Sequence, residues 1–120
     1  MTGIDPVLAA SVVGVGGAVG AAGRHAVGLR IDGRRSIVVV NALGSLVLGV
    51  VTAAPVGSTL ALFAAVGFCG AFTTFSSVTV DTVSAAADGD VRSAALFAVE
   101  TLVTALLGFF LGAATVGLVA

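Results

Sequence analysis

Apolar residues run along the chain in four long blocks separated by short polar links. The blocks cover roughly residues 7–29, 37–54, 59–87 and 92–119. A helix needs about 20 apolar residues to cross a bilayer, and each block comes close to that length or exceeds it. The second opens on the β-branched run Ile37-Val38-Val39-Val40, which in water would suit a strand. Block length and unbroken hydrophobicity predict helix instead. Asp5 and Pro6 suit the cap and first position of the first helix. The links are Arg30-Ile-Asp-Gly-Arg-Arg35, the uncharged turn Pro55-Val-Gly-Ser58, and Asp88-Gly-Asp90. The expected fold is therefore an all-α integral membrane protein with four transmembrane helices per subunit, the whole of residues 1–120 forming one domain.

Composition agrees with the pattern. Of the 120 residues, 58% are hydrophobic and 9% charged, too little polar surface for a soluble domain of this size. The start, Met1 to Pro6, lacks a basic region, so no cleaved signal peptide is expected. The net charge of −1 gives no pointer to nucleic acid. Cys69 has no second cysteine to pair with, and its surroundings suit a small buried apolar group. One histidine, one thiol and scattered acids compose no metal cluster, triad or phosphate loop, so no enzyme is expected.

All five basic residues are arginines. Arg24, Arg30, Arg34 and Arg35 belong to the first link, and Arg92 to the last. With four spans these two links share a side, and the opposite side carries none. By the positive-inside rule the two links are cytoplasmic and both termini external, in a fixed topology.

The third block holds the one stretch unlike membrane filler, Gly67-Phe-Cys-Gly-Ala-Phe-Thr-Thr-Phe-Ser-Ser-Val78. Glycine and adjacent threonines loosen a helix, through backbone entropy and χ1 restriction. In hydrocarbon, loosened backbone survives only where protein buries it or a polar cavity receives it. Two readings stand: a site where freed carbonyls ligate a cation and a half-helix N-terminus attracts an anion, or a flexible, tightly packed crossing. Elsewhere, Asn41 and Ser45 share a face of the second helix, and Asn41 is either interhelical glue or a donor to a ligand. Gly16-x-x-x-Gly20 and Gly108-x-x-x-Gly112 permit close helix approach. Arg24 is an interface anchor or a positive charge at a pore mouth. Glu100, about two turns into the fourth span, is functional or a neutral, hydrogen-bonded carboxyl.

Three motifs in order resemble the Fluc/CrcB family of bacterial fluoride channels: Gly16-Gly-x-x-Gly-x-x-x-Arg24, Val40-Asn-x-x-Gly-Ser-x-x-x-Gly49, and Gly67 to Ser77. In the third, Ala71 stands where the family has the second glycine of a pair. The resemblance covers nearly the whole chain. It implies a third helix broken mid-membrane and an obligate antiparallel dimer with two fluoride pores between protomers. It also implies a structural, untransported Na+ at the dimer centre, held by the main-chain carbonyls of Gly70 and Thr73 from each subunit. For fluoride, Asn41 would donate its amide and Phe75 its ring edge. Ser76, Ser77 and Thr101 would add hydroxyl donors, and Arg24 would hold the pore entrance positive. The channel would sit in the cell membrane and release cytoplasmic fluoride down its gradient, giving fluoride resistance.

Three positions depart from the family: Val78 replaces a second motif phenylalanine, Phe97 a tyrosine, and Asp81 a glutamate. The first two remove pore-lining groups. With the arginine asymmetry, this points to a heterodimer with an oppositely inserted paralogue that supplies them, a homodimer being the alternative. Two rival readings remain. A proton-coupled small multidrug exporter needs a mid-membrane acid, for which only Glu100 stands, and an aromatic cage, although the chain has no Trp or Tyr. A purely structural membrane subunit needs neither.

Overall fold

The computed structural model describes residues 3–119, and every regular element among them is helical. Helix α1 is Pro6–Arg30, and the Val7 N–H donates to Asp5 Oδ1 (3.1 Å) as the cap requires. Helix α2 is Arg34–Ala53. Helix α3 occupies residues 58–72: it starts α-helical at Ser58–Ala61, widens to a π-helix over Leu62–Cys69, and closes at Gly70–Phe72. After a non-helical gap at 73–75, α4 runs Ser76–Ala87, and α5 is Val91–Val119. With α3 and α4 taken as one interrupted span, four segments among the described residues are long and apolar enough to cross a membrane.

The first link is shorter than its sequence suggests. Gly33 turns the chain in the left-handed region (φ 66°), so α2 begins at Arg34 and takes Arg34 and Arg35 into its first turn. Gly89 (φ 87°) makes the corresponding turn before α5. There the Ser93 N–H donates to Asp90 Oδ1 (3.1 Å), capping the last helix.

Glycine decides which helices touch. A methyl on Gly16 or Gly20 would overlap the main-chain carbonyl of Phe63 or Phe68. In return, a Cβ on Gly67 would meet Val13 O at 2.7 Å and Gly16 Cα at 3.0 Å. Helices α1 and α3 thus touch backbone to backbone. The second pair is α2 and α5: Gly49 lies against Phe109, Gly108 against the Ala42 carbonyl (2.5 Å to an added Cβ), and Gly112 against the Leu46 carbonyl. Close approach through small residues is how helices associate where hydrocarbon offers no hydrophobic drive. The outer surface is correspondingly apolar, with Leu8, Val19, Leu60, Leu102 and Leu111 exposed.

The expected loosening lay within residues 67–78, and the chain leaves helix there, at 73–75. Departure from α geometry nevertheless begins at Leu62, upstream of the motif. The π segment includes the two carbonyls, of Phe63 and Phe68, that α1's glycines receive. Its wider turns press backbone toward α1 where no side chain intervenes. Single π turns inside α-helices recur at functional sites.

Candidate functional site

The break is built by α2. At Gly44 an added Cβ would overlap Thr73 Cγ2 and come within 3.3 Å of the Phe72 ring, so glycine leaves room for these two side chains. Cys69 Sγ donates to the Gly44 carbonyl (3.4 Å), with the thiol buried as expected. One turn earlier, Asn41 is buried and holds Thr74 with both ends of its amide. Its Nδ2 donates to Thr74 O (2.9 Å), and its Oδ1 accepts the Thr74 N–H (2.7 Å).

This clamp has a consequence for Gly70. In a continuous α-helix the Thr74 N–H would donate to the Gly70 carbonyl, but that N–H is turned to Asn41. Thr73 loses its partner in a similar way. Its helical donor would be the Ser77 N–H, which goes instead to Thr74 Oγ1 (3.1 Å). Phe75 already has helical dihedrals (φ −90°, ψ −36°), so Thr74 acts as the cap of α4. The two carbonyls expected to ligate sodium are thus the two that Asn41 and Thr74 strip of their helical donors. Thr73 keeps its own N–H (3.1 Å) and hydroxyl (2.8 Å) on Cys69 O. In place of its helical donor, the Thr73 carbonyl accepts a hydrogen bond from Arg24 Nη1 on α1 (3.4 Å).

Thr74, absent from the expected site residues, is the centre of the arrangement. Its hydroxyl also donates to Ser77 Oγ (3.0 Å) and lies 3.3 Å from Ser76 Oγ. The signal was present in the sequence: a threonine shortly before a helix restarts is one of the residue types that cap a helix N-terminus.

Two open cavities meet at Thr74. A groove of about 580 Å³ is lined by Asn41, Gly70, Thr73, Phe75, Val78 and Thr101, among others. The second, about 460 Å³, lies at the end of the bundle that holds the first link, between Arg24, His25, Ser36 and Ser77. The groove therefore unites five of the expected residues, and Arg24 and Ser77 line the neighbouring cavity. Ser76 borders neither and reaches the site only through Thr74. Phe75 is 84% exposed, projecting from the chain rather than packing within it. Thr101 is buried with its hydroxyl donated to the Phe97 carbonyl (2.8 Å), the usual fate of a membrane threonine. Glu100 is exposed and stands away from this groove, in a cleft with three arginines, which leaves the exporter reading without its mid-membrane acid.

Thr74→Val keeps the side chain's shape and removes the cap, the hydroxyl bridge and one wall contact of both cavities. The expected cost is about 1 kcal/mol of stability, with Thr74→Ser close to wild type. Thermal unfolding in detergent checks this. Equal stability of the valine and serine variants would show that α4 needs no cap.

The site defines a class: a multi-pass membrane protein whose third span is opened by a neighbouring asparagine to expose main-chain carbonyls. The chain belongs to the CrcB-like protein, camphor resistance (CrcB) family, whose pattern it matches over residues 11–113. It is 53% identical over 109 residues to a protein from Natronomonas pharaonis named fluoride-specific ion channel FluC 2, covering 89% of this chain and 93% of the relative. A Haloarcula marismortui protein of the same name is 46% identical over 102 residues, covering 82% and 86%. Fluoride-specific ion channel FluC of Thermus thermophilus is 37% identical over 120 residues, covering 88% and 94%.

Proposed function

We propose that the chain conducts fluoride across the cell membrane, as its relatives' names state for them. The observation that carries the reading is the paired release of the Gly70 and Thr73 carbonyls beside the Asn41 amide. Fluoride holds its water tightly, so a selective path must replace that water with donors without binding the ion too firmly. Arg24, with His25 beside it, makes the mouth attractive to an anion. From there the hydroxyl of Ser77 and the second Nδ2 hydrogen of Asn41, neither donated to a partner among the described residues, would be donors along the route. Phe75 would offer its positive ring edge. Thr101, whose proton is already engaged, is the weaker contributor. An efflux assay with a fluoride electrode on liposomes holding purified protein tests the reading. Chloride released as readily as fluoride would overturn it.

The donor set suits a hard cation as well. Main-chain carbonyls are the ligands such ions take, and Gly70 and Thr73 each have one without its helical donor. Two copies facing each other at the break would supply four. Sodium held there would contribute a fixed positive charge tying the two breaks together, while Asn41 and Thr74 hold the helical donors away from the carbonyls.

The working unit is an antiparallel dimer, supported by the exposed Phe75 ring and the groove beside it. An added Cβ on Gly70 meets nothing within 4 Å in the single chain. Gly70→Leu is therefore expected to leave the subunit folded, abolish dimer on size-exclusion chromatography, and reduce fluoride efflux to background. An intact, conducting dimer would place the partner elsewhere. The arginine asymmetry and Val78 support a paralogue inserted the opposite way as that partner, with this chain's termini external. Robust fluoride efflux from the chain expressed alone would favour a homodimer instead.

A further inference from the structure

We propose that the cleft between the N-terminal ends of α2 and α5 binds the phosphate headgroup of an anionic membrane lipid. This cleft, about 610 Å³, is separate from the groove and cavity that meet at Thr74. Arg34 and Arg35 reach it from the first turn of α2 and Arg92 from the first turn of α5. These positions are electrostatically odd. A helix N-terminus carries partial positive charge and favours acids, so three arginines there are mismatched to their own helices. An anion resolves the mismatch, since helix N-termini and guanidiniums both bind phosphate.

The protein does not itself supply that anion in full. Asp90 and Glu100 also line the cleft, two carboxylates against three guanidiniums. Asp90 is already used as the α5 cap. The single side-chain hydrogen bond these arginines make among the described residues is from Arg34 Nη1 to Ser93 Oγ (2.7 Å). Arg34 is further steadied over the Phe97 ring, 5.2 Å from its centroid. One guanidinium is thus fixed in place, and Arg35 and Arg92 stand exposed beside it.

The walls decide between a free anion and a lipid. Val38, Val39 and Leu96 continue the cleft along the spans, beneath the arginines. A phosphate with acyl chains fits both the charged mouth and the apolar wall, whereas inorganic phosphate uses the mouth alone. Basic pockets between spans at the membrane edge are a recognised setting for lipid headgroups. The proposal does not depend on what the groove conducts.

The test is native mass spectrometry of the purified protein with phosphatidylglycerol or phosphatidylcholine of matched chains. Wild type is expected to retain phosphatidylglycerol preferentially. Arg35→Gln and Arg92→Gln should each weaken that retention about fivefold, in line with one arginine's contribution at a membrane surface. Arg30→Gln removes the same charge outside the cleft and should change retention less than twofold. Equal retention of the two lipids, or equal loss in Arg30→Gln, would overturn the site. Displacement of the lipid by millimolar inorganic phosphate would overturn the lipid assignment.

Discussion

Asn41→Leu is expected to abolish fluoride efflux while Asn41→Asp folds and still fails to conduct. Asn41 makes two hydrogen bonds to one peptide, at 2.9 and 2.7 Å, and both partner atoms belong to a buried residue. Leucine leaves the Thr74 N–H and C=O without a partner in hydrocarbon. Each orphaned group costs about 1–3 kcal/mol. The cheapest escape is for the Thr74 N–H to return to the Gly70 carbonyl, closing the break and removing a ligand from the proposed cation site. Aspartate separates the two tasks. Its carboxylate still accepts the Thr74 N–H, so Gly70 stays released, but it donates nothing to Thr74 O or to fluoride and repels the ion. A loss of at least about a hundredfold in efflux is expected for both, since removing one aimed donor at an ion-stabilising position costs on that order. The variants part at the break: leucine lets it close and lowers dimer yield, whereas aspartate keeps the Thr74 N–H off Gly70 while losing stability through the unpaired Thr74 carbonyl. Aspartate conducting at more than a tenth of the wild-type rate would show that the amide acts only as a structural clamp.

The spans and their links were legible because hydrocarbon imposes one simple demand, a run of apolar residues of fixed length. The break was legible for a related reason: Gly70, Thr73 and Thr74 are costly in a plain lipid-facing helix, so their presence signals a use. Two features were not readable. The π-helix at Leu62–Cys69 has no local signature, because Leu62-Phe-Ala-Ala-Val would form an ordinary helix elsewhere. It coincides with the contact to α1, forty or more residues away in the chain. The gathering of Arg34, Arg35 and Arg92 was equally hidden, since it needs the α2 and α5 N-terminal ends to be neighbours. Asn41 lay between these cases. Its two possible roles were both visible in the amide, and the structure assigns it the clamp.

The second large effect is expected at the glycine contacts, and it discriminates between the two helix pairs. Gly49→Ala places a methyl onto the Phe109 carbonyl oxygen, with the Phe109 carbonyl carbon at 2.9 Å and Ala113 N at 3.0 Å. All three atoms are main chain, so no rotamer change relieves them and the helices must separate. Overpacking against movable neighbours costs about 1–3 kcal/mol, and an immovable backbone puts Gly49→Ala at or above the upper end. Gly16→Ala and Gly20→Ala push on Phe63 and Phe68 in the same way, but the helix they displace is the π segment leading to the break. These two should therefore lose efflux more than their stability loss accounts for, as α3 shifts and moves Gly70 and Thr73 out of register with Asn41. Gly14→Ala and Gly117→Ala, which meet nothing within 4 Å and line neither cavity, are the matched controls and should be neutral in both assays. Melting temperatures paired with efflux rates across the five variants separate the effects. If Gly16→Ala and Gly49→Ala fell on one line of efflux against stability, the π segment would have no special link to conduction.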